Sequence, residues 1–290
     1  MNTTKRARLF LILSMTAFGT LAPFVRNIAV SSGELALYRA ILASILIGVF
    51  LLATGQRIPV RSLGKELLLL LFSGIAMGFN WILLFEAYKY TTVAIATLSF
   101  YFAPVIVTAI CPFLFHEKLT KKQIFCFLMS TLGLSLVIGI TNLGSGGNDA
   151  IGIVFGLGAA LLYATVILLN KFIKGITGIH RTFLQFLAAV MVLLPYVCFT
   201  GGMHPEVLDL TGWVCLLVVG FVHTGITYCL YFTSLKELSG QEASILSYMD
   251  PLVAVVIGVL VLKEPFSWQQ LVGGALILGF TLLNELDSGT

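Results

Sequence analysis

SFYFAP at residues 99–104 returns as LSYMDP at residues 246–251, 147 positions later. With the same offset and no gap, Phe85 falls on Phe232, Lys89 on Lys236, Ala96 on Ala243, Ile110 on Ile257, Glu117 on Glu264 and Gln123 on Gln270, beside the Tyr101/Tyr248 and Pro104/Pro251 pairs of the two hexapeptides. Apolar stretches match one another by chance, but here the Tyr-x-x-Pro and the glutamate that follows the apolar run stay in register, which marks an internal repeat. The expected units are residues 1–145 and 146–290, with the polar stretch NLGSGGNDA at 142–150 as the loop between them.

Composition gives the solvent in which this repeat folds. Of 290 residues 58% are hydrophobic and 10% charged, and the mean hydropathy is +1.01; a soluble domain carries roughly 25% charged residues. A bilayer core needs about 20 apolar residues per helix, and ten such runs are present, at about 8–28, 34–53, 66–88, 92–114, 123–141, 150–170, 182–200, 211–234, 241–262 and 267–285. The runs are about twice the length of a barrel strand and lack period-two alternation. The expected fold is therefore an all-α membrane protein. Lys5, Arg6 and Arg8 precede a first run too long for a cleavable leader, which reads as a retained helix.

The basic residues orient the chain. With the N-terminus in the cytoplasm, Lys5, Arg6, Arg8, Arg57, Arg61, Lys65, Lys118, Lys121, Lys122, Lys171, Lys174, Arg181 and Lys236 lie inside, against Arg26, Lys89 and Lys263 outside. This is a strong positive-inside bias and places both termini in the cytoplasm. The net charge of +4 is a topology signal and implies no nucleic-acid partner. Each half holds five spans, and five is odd, so the second half enters the membrane from the opposite face. Ten transmembrane helices in a 5+5 inverted repeat suit alternating access to a site near the midplane.

The segments FEAYKYTTVAIATLSFYFAPVIV with HEKLTKKQ, and SLKELSGQEASILSYMDPLVAVV with KEPFSWQQLVGG, resemble the drug/metabolite transporter superfamily in its ten-helix EamA-like branch, over roughly residues 8–285. The resemblance implies a cavity lined by helices 1, 3, 4, 6, 8 and 9. It also implies secondary transport of a small organic metabolite such as an amino acid or amine, with export favoured.

An ionisable group at the centre of a membrane helix costs about 2.5–3.5 kcal/mol on insertion scales, so each such group is a functional candidate. Arg39, Glu86, His223 and Asp250 qualify. Arg39 and Glu86 lie at similar depth and form a candidate ion pair that could serve packing alone. His223 and Asp250, both near mid-helix, form a candidate proton-coupling pair, with Glu86 a third candidate. His223 could equally serve a neighbouring carbonyl, and Asp250 could cap a half-helix that begins at Pro251. The repeat bears on the capping role: Pro104 matches Pro251, but Ala103 stands where the aspartate does, so the proline break alone does not demand a carboxylate.

Around these groups, Asn80, Trp81, Tyr101, Tyr163, Thr227 and Tyr248 join Asp250 as candidate substrate contacts, since organic ligands bind among aromatic walls with a few placed polar groups. Asn80 and Thr227 are equivalent under the repeat, on stripes that fit either a packing seam or a cavity wall. Gly19, Pro23, Pro104 and Pro251 are candidate bending points, with Arg39 grouped among the structural and gating residues. An alternative is a facilitative or ion-coupled uptake carrier for a cationic or quaternary ammonium solute; a channel or an intramembrane enzyme fits poorly, because no filter, catalytic motif or paired carboxylates are found. Cys111, Cys126, Cys198, Cys215 and Cys229 all fall inside spans and read as buried apolar residues. No cofactor and no metal is expected. The expected partners are the lipid bilayer, a small-molecule substrate and protons, in a monomer or homodimer of the bacterial plasma membrane.

Overall fold

The computed structural model describes residues 3–56, 58, 64, 66–115, 120–138, 149–176, 178–235, 237–238, 243 and 246–288; Glu117, Lys236 and most of the loop at 142–150 lie outside them, as does the side chain of Cys111. The described elements are helical: α1 Thr3–Gly19, α2 Leu21–Arg26, α3 Ser32–Ala53, α4 Glu66–Tyr90, α5 Val93–Phe100, α6 Ala103–Phe115, α7 Lys121–Ile138, α8 Asp149–Phe172, α9 Gly178–Thr200, α10 Leu210–Leu217, α11 Thr227–Leu235, α12 Met249–Leu260 and α13 Trp268–Ser288. Val218–Ile226 joins α10 to α11 as a π-helical segment.

These elements make the ten expected spans. Seven are long and apolar enough to cross a membrane by length and composition, among them Thr3–Arg26, Val93–Ile110 and Leu210–Leu235, which are composites; Met249–Leu260 and Trp268–Leu283 are shorter apolar helices. The composites break where the backbone gives reason. Pro104 lacks an N–H and its ring clashes with the carbonyl four residues back, that of Phe100; α5 accordingly stops at Phe100, with Phe102 N bonding back to Ser99 O at 3.2 Å, and α6 starts at Ala103 with the proline in its first turn. The matching break in the second half falls at Tyr248, ahead of α12. In the eighth span, Thr224 and Thr227 hydroxyls each donate to a carbonyl five residues back, at 2.8 Å, where the ladder is widened.

Several repeated residues are capping residues. Thr120 and Gln123 form a reciprocal box at the start of α7, with bonds of 2.8 and 3.2 Å. Ser267 and Gln270 form the same box at the start of α13 with the same two distances. The Gln123/Gln270 identity is thus a helix start used twice. Ser31 and Glu34 box the start of α3, Thr92 caps α5 and Asp209 caps α10.

Helix contacts repeat under exchange of the halves. The third span packs on the sixth (α4 on α8) as the eighth packs on the first (α11 on α1); the third packs on the seventh as the eighth packs on the second; the fourth packs on the sixth as the ninth packs on the first. The pairs α3 with α9, α7 with α13 and α5 with α12 map onto themselves, as spans beside a two-fold axis must. At the α7–α13 crossing Gly133 and Gly273 face each other, and a Cβ on either would lie 2.5–2.6 Å from the other's carbonyl oxygen.

The span ends sort into two groups, as the alternation of an odd repeat requires. At one end Arg26 donates to the Tyr88 and Thr91 carbonyls, Thr91 donates to Asp149, and Glu34 accepts from His204 N. At the other, Glu66 accepts from the Lys174 and Gly175 amides. Large apolar side chains face outward, Phe113 at 84% and Phe199 at 90% exposure, which suits hydrocarbon. Cys126 and Cys215 are buried, Cys229 is half-buried and Cys198, contrary to expectation, is exposed.

Candidate functional site

Tyr101 and Asp250 meet where the two helix breaks meet. Tyr101 follows the last residue of α5, and Asp250 is the second residue of α12. The Tyr101 hydroxyl donates to Asp250 Oδ2 at 2.6 Å, a short charge-assisted bond between the halves. Helix α12 begins one residue before Asp250, and the carboxylate is engaged by Tyr101, so capping does not account for it. Tyr163 and Tyr248 lie within electrostatic range of the Tyr101 hydroxyl, and Phe100 packs on Tyr163 with ring centroids 5.3 Å apart. On the far side of Asp250, Gly19 packs against its backbone: a Cβ there would lie 2.6 Å from the Asp250 carbonyl oxygen and 2.7 Å from Val253 Cβ. The first span can approach α12 this closely because that residue is glycine.

The second buried charge is Arg39, 4% exposed on α3. Its Nε donates to Thr224 Oγ1 at 2.8 Å, and its guanidinium lies over the rings of Trp81 (4.6 Å) and Phe85 (5.7 Å). Glu86 does not reach it. The glutamate instead accepts from Lys89, three residues on, at 3.0 Å. Trp81 and Phe85, four residues apart, share the face of α4 turned to Arg39, and Glu86 is rotated about 100° from Phe85. The pairing expected from similar depth is therefore not found among the described residues. Asp250 does not pair with it either: among the described residues no carboxylate lies within 4.0 Å of Arg39.

Rings connect these groups. Trp81 meets Phe186 edge-on at 5.1 Å, and Phe186 meets Tyr228 at 5.3 Å. Tyr228 in turn meets Phe18 at 5.3 Å. A cavity of about 430 Å3, lined in part by Arg26, Leu35, Phe85 and Tyr88, opens at the end of the bundle beyond Arg39.

Residues 5–139 and again 150–285 match the EamA-like transporter family. The chain belongs to the EamA-like transporter family. It is 33% identical over 254 residues to the "Uncharacterized transporter YxxF" of Bacillus subtilis (strain 168), covering 85% of this chain and 79% of that one. It is 28% identical over 277 residues to an "Uncharacterized transporter" of Archaeoglobus fulgidus, covering 94% of each. A solved structure titled "Crystal structure of protein" superposes with a TM-score of 0.63 at 18% identity over 95% of both chains, a likeness of fold. The protein is thus a multi-pass membrane transporter built from two EamA repeats.

Within this EamA-like transporter several sequence candidates hold other partners. Asn80, 3% exposed, donates to the Ala159 carbonyl on α8 at 2.6 Å, and Thr227 donates to the Val222 carbonyl. His223 Nε2 contacts Thr20 Oγ1 at 3.1 Å, and its Nδ1 lies 3.3 Å from the Val218 carbonyl. Its network is separate from the Tyr101–Asp250 pair, so the juxtaposition of His223 with Asp250 expected from mid-helix depth is not found. Pro23 lies in the short α2 after the Thr20 turn, where its carbonyl accepts from Asn27. Sequence reasoning missed Phe186, Tyr88 and Thr224 as neighbours of the charges. The offset of 147 holds a signal for one of them, because it sets Phe186 opposite Arg39 and Tyr228 opposite Trp81.

Proposed function

We propose that this transporter exchanges protons for a small organic metabolite bearing an ammonium group, by alternating access, with Asp250 as the shared binding group and export as the working direction. The observation that carries the reading is the 2.6 Å bond from Tyr101 to Asp250, which joins the halves at their two helix breaks. A carboxylate there can be neutralised by a proton or by a substrate ammonium, and one excludes the other. A protein whose halves rock only when that charge is neutralised is an antiporter. The inward proton gradient of a bacterial plasma membrane then drives the solute out. Trp81, Tyr163 and Tyr248 supply apolar walls, and the rings favour a cationic solute. Both termini are cytoplasmic in this reading, on the strength of the Lys/Arg bias.

The test is substrate-induced dissipation of an imposed pH gradient in proteoliposomes, read with an internal pH dye against a panel of amines and amino acids. Asp250→Asn is expected to abolish the response while the purified variant keeps a monodisperse elution profile and a cooperative melt. Gradient-driven transport at the native rate in Asp250→Asn refutes the proposal.

A further inference from the structure

Arg39 is buried without an anion. Among the described residues no carboxylate lies within 4.0 Å of it, and Thr224, at Nε, is its hydrogen-bond partner. Among the described residues its two terminal nitrogens, which carry four N–H donors, therefore make no hydrogen bond, in a side chain 4% exposed. A guanidinium that only filled space would have no reason to be charged, and the other half of the molecule shows as much. Phe186 occupies the equivalent position and packs on Tyr228, the equivalent of Trp81, with centroids 5.3 Å apart, while Arg39 packs on Trp81 at 4.6 Å. The same contact is made once with a neutral ring and once with a cation. Packing does not require the charge, just as the Ala103 counterpart shows that the proline break does not require Asp250.

The two unmatched charges are also near each other. A chain of contacts joins them: Arg39 lies over Trp81, Trp81 meets Phe186, Phe186 meets Tyr228 and Tyr228 meets Phe18, whose neighbour Gly19 packs on Asp250. Arg39 is seven residues into α3 from Ser32, and Asp250 is ten residues from the far end of α12 at Leu260. At 1.5 Å per residue they sit about 10 and 15 Å below the same end of the bundle. They are not paired with each other, although an unpaired charge in hydrocarbon is costly. We infer that the substrate is a zwitterion, its anionic group held by the free edge of the Arg39 guanidinium and its ammonium by Asp250, with the rings of Trp81 and Tyr228 beside its apolar part. This inference rests on the Asp250 reading above. It adds that an anion is recognised at Arg39, in the bidentate way that suits carboxylates.

The test uses probes that share one side chain and differ in charge: L-leucine, 3-methylbutylamine and 4-methylpentanoate, and the corresponding set L-phenylalanine, 2-phenylethylamine and 3-phenylpropanoate. Each is titrated into the purified protein while the thermal unfolding midpoint is followed, since a ligand that binds the folded state raises it. The zwitterion of at least one set is expected to stabilise the protein at concentrations about tenfold or more below those at which its amine or its acid does. Arg39→Met is expected to erase that preference, so that amine and zwitterion bind alike. Arg39→Lys, which keeps the charge and is the fallback if the Met variant does not fold, is expected to keep the preference while binding more weakly. An amine that stabilises the native protein as well as its zwitterion overturns the inference about Arg39 and leaves the Asp250 reading standing. Zwitterion and amine binding unchanged in Asp250→Asn overturns both, and so does the absence of a midpoint shift with all six probes at millimolar concentration.

Discussion

Glu264→Gln tests how three spans are tied together at one end of the bundle. Lys263, at φ 54°, turns the chain after α12 so that the Glu264 amide bonds Gly258 O at 3.0 Å and its side chain points back across the bundle. There Oε1 lies 2.5 Å from Arg26 Nη1 at the end of α2, and Oε2 accepts from Val93 N at the start of α5 at 2.8 Å. One carboxylate thus ties the first, fourth and ninth spans. A glutamine keeps the bond to Val93 and loses the charge that pairs with Arg26. Exposed ion pairs contribute up to about 1 kcal/mol and breaking a buried one costs about 3 kcal/mol or more; with the Arg26 side chain 31% exposed against 9% for Glu264, this pair falls between them, at about 1–2 kcal/mol. That is a factor of roughly 5–30 in the population with this tie broken against made. Hydrogen exchange at the peptide containing Val93 is the readout, with exchange in Glu264→Gln expected to be faster by that factor. Arg26→Ala is expected to do the same, and the double variant to go little further than either single one. Unchanged exchange in Glu264→Gln, or fully additive effects in the double variant, refutes the tie.

Three further outcomes follow from the packing. Gly19→Val is expected to abolish transport and lower the melting temperature, because its Cβ would overlap the Asp250 carbonyl and Val253; native activity in that variant shows that α1 and α12 separate freely. Gln123→Ala and Gln270→Ala are each expected to cost about 0.5–1.5 kcal/mol through loss of one hydrogen bond to the cap amide, by similar amounts because the two boxes have the same distances, as read from chemical denaturation in detergent. Asn80→Ala is expected to lower stability by about 1 kcal/mol through loss of the bond to Ala159 while leaving apparent substrate affinity unchanged; a loss of affinity without a loss of stability contradicts the packing role.

The spans and their inversion were legible because hydrocarbon permits only helices and closed barrels, the run lengths exclude the barrel, and an odd repeat leaves no choice of orientation. Register was legible too, since Tyr101, Pro104 and Gln123 mark a break and a cap that both halves need. What stayed hidden was azimuth. Depth along a helix follows from counting residues, but which way a side chain points depends on helix rotation, so Arg39 and Glu86 could be placed at one level and still face different neighbours. The π segment was hidden for a related reason. Thr227 read as part of a stripe on a regular helix, while the hydroxyls of Thr224 and Thr227 bond carbonyls five residues back and Thr224 meets Arg39 from the widened turn. Asp250 was singled out by comparing the two halves position by position. The same comparison, carried through to position 186, would have set Arg39 apart as well.

Single-copy charges are what electrostatics requires of a duplicated fold with a central site. Residues near the two-fold axis meet their own counterparts: α5 packs on α12, so position 103 and position 250 belong to one neighbourhood, and α3 packs on α9, so position 39 and position 186 belong to another. A carboxylate at both 103 and 250, or a guanidinium at both 39 and 186, would put like charges together in low dielectric, where their repulsion goes unscreened. Ala103 and Phe186 avoid this. The apolar framework and the helix caps can be duplicated without penalty, whereas a binding charge can be used in only one half. A positive group from the first half and a negative group from the second then give an otherwise symmetric framework a direction, and a ligand that carries both charges has one orientation against it.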